Sequence, residues 1–217
     1  MESTTARARK TYAKTVERRS AIARAALDVV LEKGHRALTT SEVASRAGMS
    51  ETAMLYHFPT RDHILVAAME LADQDSRTLL THEFLGSEAE KDEWPPRALA
   101  SLSSEEVAVT RLFFALSAEA VNPDHPARGF LKDHQERAVA EFAGGIQRRQ
   151  HEGLALPGLD PQAAARKVVA VWSGLRMQWL INPSFDVASE VAHAFKAITG
   201  QQVMEAQRRI AGVISEL

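Results

Sequence analysis

The eight histidines and 28 carboxylates of this chain are scattered along it, and that placement limits the chemistry the sequence can perform. His125, His134, His151 and His193 belong to no cluster of His and carboxylates at i, i+3 or i, i+4 spacing of the kind that gathers a metal ion, and Glu136 lies two residues from His134, off the shared helical face. Cysteine is absent, which excludes disulfides, thiolate catalysis and thiolate metal ligation. No glycine-rich phosphate loop, nucleophile elbow or paired catalytic constellation occurs. We therefore expect no enzyme, no metal and no cofactor.

The basic side chains are more informative. Residues 1–50 hold ten Lys/Arg (Arg7, Arg9, Lys10, Lys14, Arg18, Arg19, Arg24, Lys33, Arg36, Arg46) against five Asp/Glu, so this end carries +5 within a chain whose net charge is −2. A basic end fits contact with nucleic acid, because neutralised phosphates release condensed counterions. A solvated basic tail has the same composition.

With 45% hydrophobic and 25% charged residues the 217-residue chain can bury an ordinary core, or a small domain joined to a larger one. No apolar run approaches the roughly 18 residues of a membrane span. The first apolar stretch, Ala21 to Leu31, is broken by Arg24 and Asp28 and does not suit a signal-peptide core, so a cytoplasmic location is expected.

The elements that must carry any site read as helices throughout. Residues 1–15 are polar and basic and are expected as a flexible arm. Ile22, Ala26, Val29 and Val30 recur at helical spacing, giving a first helix over about 16–33 that ends at Gly34 in a left-handed conformation. Thr39 with Glu42 forms a capping-box signature for a second helix, which stops at Gly48. Ser50 caps a short third helix to His57; Pro59 breaks the run, and Thr60 caps a fourth from Arg61. Downstream, Trp94-Pro95-Pro96, Asn122-Pro123, Leu156-Pro157-Gly158 and Asn182-Pro183 punctuate longer helices. Asp160-Pro161 opens one that runs to about Ile181.

Within residues 39–65, TTSEVASRAGMSETAMLYHFPTRDHIL, two short helices meet at the tight Gly48-Met49-Ser50 turn. That is helix-turn-helix geometry: a brief second helix suffices if only its leading side chains must reach base edges while the first braces it. Val43, Ala44, Ala47, Met49, Met54 and Phe58 supply its small core. The order and spacing of Gly34, Thr39-Thr40, Ala44, Ala47-Gly48-Met49-Ser50, Phe58, Arg61 and Ile64-Leu65 resemble the TetR/AcrR family of transcription regulators over roughly residues 16–65. Leu55 departs from the pattern, standing where the family usually has a tyrosine.

The resemblance implies an all-α chain: a DNA-binding domain over 16–76, with its motif at 39–58, then a ligand-binding and dimerisation domain over 77–217. It implies DNA contact through Thr39, Thr40, Ser41, Ser50, Glu51, Thr52, Ala53, Tyr56, His57 and Arg61. Ser41, Glu51, Thr52 and Ala53 would face bases, and Thr40, His57 and Arg61 phosphates. The chemistry agrees: Thr52 and Ala53 offer methyl contact to thymine, and Arg61 adds charge to a helix start that favours anions. Glu51 fits two roles, accepting from a cytosine amino group or serving as a helix N-terminal charge. Arg7, Arg9 and Arg18 would enter the adjacent minor groove from the arm, or stay in solvent.

The resemblance extends more weakly through LFFALSAEAVNPDHPARGF and AVWSGLRMQWLINPSF, and implies a homodimer through about residues 161–200. Val168, Val171, Trp172, Leu175 and Trp179 give one helix an apolar face, with Ala170 and Gly174 leaving room for close approach; Val187, Val191, Phe195 and Ile198 make a second stripe. Phe113, Phe114, Glu119, Trp172, Arg176 and Trp179 are the expected effector contacts, with Phe84, Leu116, Phe130 and Phe142 as further lining or plain core. Together these give a repressor that releases a palindromic operator on binding a small molecule. The other reading is a helical binding and dimerisation module that does not read DNA.

Overall fold

The computed structural model describes the backbone of residues 4–84 and 103–215, with side chains over 12–76, 103–211 and 213–214. The expected break at Trp94-Pro95-Pro96 and the side chains of Arg7, Arg9 and Phe84 lie outside the described residues. All regular structure among the described residues is helical: α1 (Thr4–Lys33), a 3₁₀ turn (His35–Ala37), α2 (Thr40–Arg46), α3 (Glu51–His57), α4 (Arg61–Phe84), α5 (Ser104–Glu119), α6 (Ala127–His151), α7 (Pro161–Ile181), α8 (Val187–Thr199) and α9 (Gln201–Ser215). No helix among the described residues is long and apolar enough to cross a membrane.

The chain divides into two compact units. The first takes α1–α4, α5 and the start of α6 through Leu131. Helices α2, α3 and α4 begin at side-chain caps: Thr39 accepts from the Glu42 amide at 3.3 Å, Ser50 from Ala53 at 3.2 Å and Thr60 from His63 at 3.4 Å. Only half of the expected Thr39–Glu42 box forms, because the Glu42 carboxylate is taken by Lys33 at 2.7 Å and Arg46 at 2.8 Å. A complete box stands instead at Ser103 and Glu106. α2 stops at Gly48, whose φ of 67° lets its own N–H reach Ser45 O and that of Met49 reach Ala44 O, the paired bonds of a Schellman turn.

Two expectations about this unit are corrected. α1 begins at Thr4, so residues 4–15 continue the helix where an arm was expected; the stretch has no Gly or Pro and is rich in Ala, Lys and Arg, the best helix formers. Gly34 has the expected positive φ, 81°, but its ψ of 157° is extended, and it leads into the 3₁₀ turn. The core also reaches further along the chain than residue 76. Ile22, Val29, Val30, Val43, Met54 and Ile64 pack in one cluster with Leu112 and Leu116 of α5 and Leu131 of α6.

The second unit holds α6 from Lys132 with α7, α8 and α9. Asp160 caps α7 through the Gln162 amide at 2.9 Å, with Pro161 first in the helix, and Asp186 caps α8 through Ala188 at 3.0 Å. Phe142, Ile146, Ala164, Ala165, Val168 and Phe195 form the core. The α8 stripe expected to meet a second copy is spent inside this chain: Val187, Val191 and Phe195 are all buried, because that face of α8 packs on α7.

Candidate nucleic-acid interface

α3 has seven residues, and burial sorts them. Met54 and the following Phe58 anchor the inner face; Glu51, Thr52, Ala53 and Tyr56 are exposed on the outer one, Tyr56 at 86%. The helix is thus a short rod held from behind with small and polar groups in front.

Each expected contact has a definite place. Thr39 and Ser50 use their hydroxyls as caps. The Thr40 hydroxyl donates to the Glu51 carboxylate, joining the first turns of α2 and α3. Ser41, Thr52, Ala53 and Tyr56 face solvent, and His57 is half-buried beside Tyr56, their rings edge to face at 5.5 Å. Arg61 turns inward: Nε donates to Leu38 O at 3.0 Å and Nη2 to His35 O, so the guanidinium expected on a phosphate clamps the 3₁₀ turn to the start of α4.

One residue that positions the site was missed by sequence reasoning. Arg19 donates from Nη1 to His57 O at 2.6 Å, and its guanidinium carbon lies 4.1 Å from the centre of the Phe58 ring. It ties the C-terminal end of α3 to α1 across 38 residues, a separation at which no local spacing signals a contact. Arg46 braces α2 in the same way, reaching Glu32 of α1 at 2.7 Å. Hydrogen bonding by Arg46 holds Glu32 below the usual carboxylate range, Lys33 and then Arg46 do so for Glu42, and Arg46 is pushed up in turn. Burial, followed by the charges of Arg36, Arg61 and Arg111, pushes the His35 imidazole down.

Residues 22–71 match the family of bacterial regulatory proteins, tetR family. A structure from Rhodococcus sp. described as a TetR-family transcriptional regulator shares 28% identity and a TM-score of 0.68, covering 85% of this chain and 99% of its own. The chain is similar to the TetR family. Two further structures share this fold. One, from Saccharomonospora viridis in complex with choline, is 20% identical with a TM-score of 0.64, over 82% of this chain and 93% of that one. The other, the Thermus thermophilus repressor FadR in complex with lauroyl-CoA, is 19% identical with a TM-score of 0.58, over 83% and 92%. No curated protein matches the chain.

Within the stretch that matches this family, α2, the Gly48 turn and α3 form the helix-turn-helix. The expected effector contacts fall in two groups. Phe113 and Phe114 meet edge to face at 5.6 Å on α5 of the first unit, where Glu119 is exposed, Leu116 belongs to the core and Phe130 packs against it. Trp172, Arg176 and Trp179 lie on α7 of the second unit, with Trp172 edge-on to Phe142 at 5.8 Å and the Arg176 guanidinium carbon 5.5 Å from the Trp172 ring centre.

Proposed function

We propose that the chain is a cytoplasmic, homodimeric repressor that grips a near-palindromic operator through α3 of each copy and releases it on binding a small molecule. The observation that carries this reading is the split character of α3: Met54 and Phe58 are buried while Thr52, Ala53 and Tyr56 are exposed on a helix braced by Arg19. Methyl groups on that face suit thymine, and residues 16–76 supply the DNA-reading part.

A partner copy is supported by α7. Ala170, Gly174, Met177 and Ile181 recur at i, i+4, i+7 and i+11 on an exposed face, Ile181 at 78%. A second such helix packs closely where the side chains are small. The effector reading is supported by Trp172, whose Nε1 is buried with no hydrogen-bond partner among the described residues. An acceptor on a ligand would satisfy it, and the nearby Arg176 favours an apolar body carrying an anion. Since the similar structures hold ligands as unlike as choline and lauroyl-CoA, the fold does not fix the effector. An effector releases DNA only to the extent that it prefers the conformation with the wrong spacing of the two α3 helices.

The test is enrichment from a pool of random duplexes by the full chain. An inverted repeat with half-sites about 34–36 Å apart, one helical turn, is expected. Bound duplexes with no common sequence would sink the proposal in favour of a helical module that does not read DNA.

A further inference from the structure

Most cations of the first unit whose side chains are described are already engaged. Arg19 holds the His57 carbonyl, Arg24 pairs with Asp75, Lys33 with Glu42, Arg46 with Glu32 and Glu42, and Arg61 holds two carbonyls of the 3₁₀ turn segment. Lys14 and Arg18 form no ion pair among the described residues. Four residues apart on α1, they share one face, separated by about 6 Å of helical rise. Both line a cleft of about 340 Å³ whose opposite wall is Gly48 of the turn with Ala53 and His57 of α3.

We propose that this cleft is a phosphodiester-binding site for the operator strand bordering the groove that α3 enters. Lys14 and Arg18 donate to the phosphate oxygens, and His57 closes the side next to α3. The placement follows from Ala53, which belongs both to the exposed face of α3 and to the cleft wall, so a strand beside the bases at Ala53 runs past the two cations. Gly48 and Ala53 are small and leave the approach open. Glu17 also lines the cleft, and the two cations outweigh its single carboxylate. Arg18 thus stands on a continuous helix, Thr4–Lys33, and lines one cleft with Ala53 and His57 of α3.

The inference rests on the DNA reading proposed above, and salt dependence separates the two. Lys14→Ala and Arg18→Ala are expected to weaken operator and random duplex alike, leaving their ratio unchanged. Each flattens the slope of log affinity against log salt by about 0.9 per subunit, or about 1.8 for a dimer. Between 50 and 200 mM salt each variant then loses roughly tenfold less affinity than the wild type. Lys14→Arg keeps the wild-type slope, and Glu17→Gln binds every duplex more tightly. Both cations are exposed, so circular dichroism and the thermal midpoint should not move. An unchanged slope in both alanine variants overturns the site. So does a changed preference for A·T pairs, which would mean minor-groove reading. A wild type that prefers no sequence overturns the operator proposal instead, and the slope measured on random duplex still decides the cleft.

Discussion

The Thr40 hydroxyl donates a hydrogen bond to the Glu51 carboxylate, so the acid that opens α3 is held toward the first turn of α2. Held there, Glu51 complements the positive end of α3 and spaces the two helices, while its charge repels phosphate. Glu51→Gln keeps an oxygen for Thr40 and removes the charge. Affinity for operator and random duplex should rise by a similar factor, a few-fold at low salt, measured by fluorescence anisotropy. A changed base preference at one symmetric position per half-site would show instead that Glu51 accepts from a cytosine.

Arg61 is expected to act on stability. Its two hydrogen bonds reach main-chain oxygens that are part-buried with it, and bonds from a charged donor are each worth about 1.5–3 kcal/mol. Arg61→Ala should lower the denaturant midpoint by an equivalent of about 2 kcal/mol or more with an unchanged salt slope for DNA. Arg61→Lys should recover little, since a point ammonium does not span both carbonyls as a planar fork does. A flattened slope at full stability would return Arg61 to the phosphates.

The two glycines flanking α2 should respond differently to alanine. Among the described residues nothing lies within 4 Å of a Cβ built on Gly34 or Gly48, so each cost is that of the backbone alone. At Gly48 the left-handed conformation costs an alanine about 1 kcal/mol, and asparagine should recover part of it. Gly34, with φ 81° and ψ 157°, occupies a region open almost only to glycine, and Gly34→Ala should cost about 1–3 kcal/mol. Equal midpoints for the two alanine variants would contradict this ordering.

What the sequence made legible was local. Thr39, Ser50, Thr60 and Asp160 cap the helices that follow them, and Gly48 ends α2, because each acts within three or four residues. Ser103 and Glu106 carry the same local signature, three residues apart. Contacts made across the fold were not legible. Arg61 follows a helix start, which says nothing of the carbonyls at His35 and Leu38 behind it. An apolar stripe such as Val187, Val191 and Phe195 shows that a face is covered but not by what, and here the cover is α7 of the same chain. The apolar residues of α5 likewise join the core of the first unit from far along the chain.

That last distinction decides how a dimer is tested. Charge at Val191, only 4% exposed, would unfold the second unit and report nothing about association. Gly174 is exposed with open space where a Cβ would sit, so Gly174→Arg should fold normally and even favour the helix. Sedimentation should then show a monomer with weakened operator binding, since one half-site supplies only part of the affinity. A dimer of wild-type stability would move the interface off this face of α7.

The central claim is that α3 reads sequence, and the ratio of operator to random-duplex affinity in Thr52→Ala and Ala53→Gly measures it most directly. Both side chains are exposed and carry no part of the helix's anchorage, so the fold should be kept, apart from the small helix penalty that Ala53→Gly brings. Each lost base contact should reduce the advantage of the operator by about 1–3 kcal/mol, or roughly 5- to 150-fold, with the salt slope nearly intact. A ratio equal to that of the wild type in both variants would contradict the account.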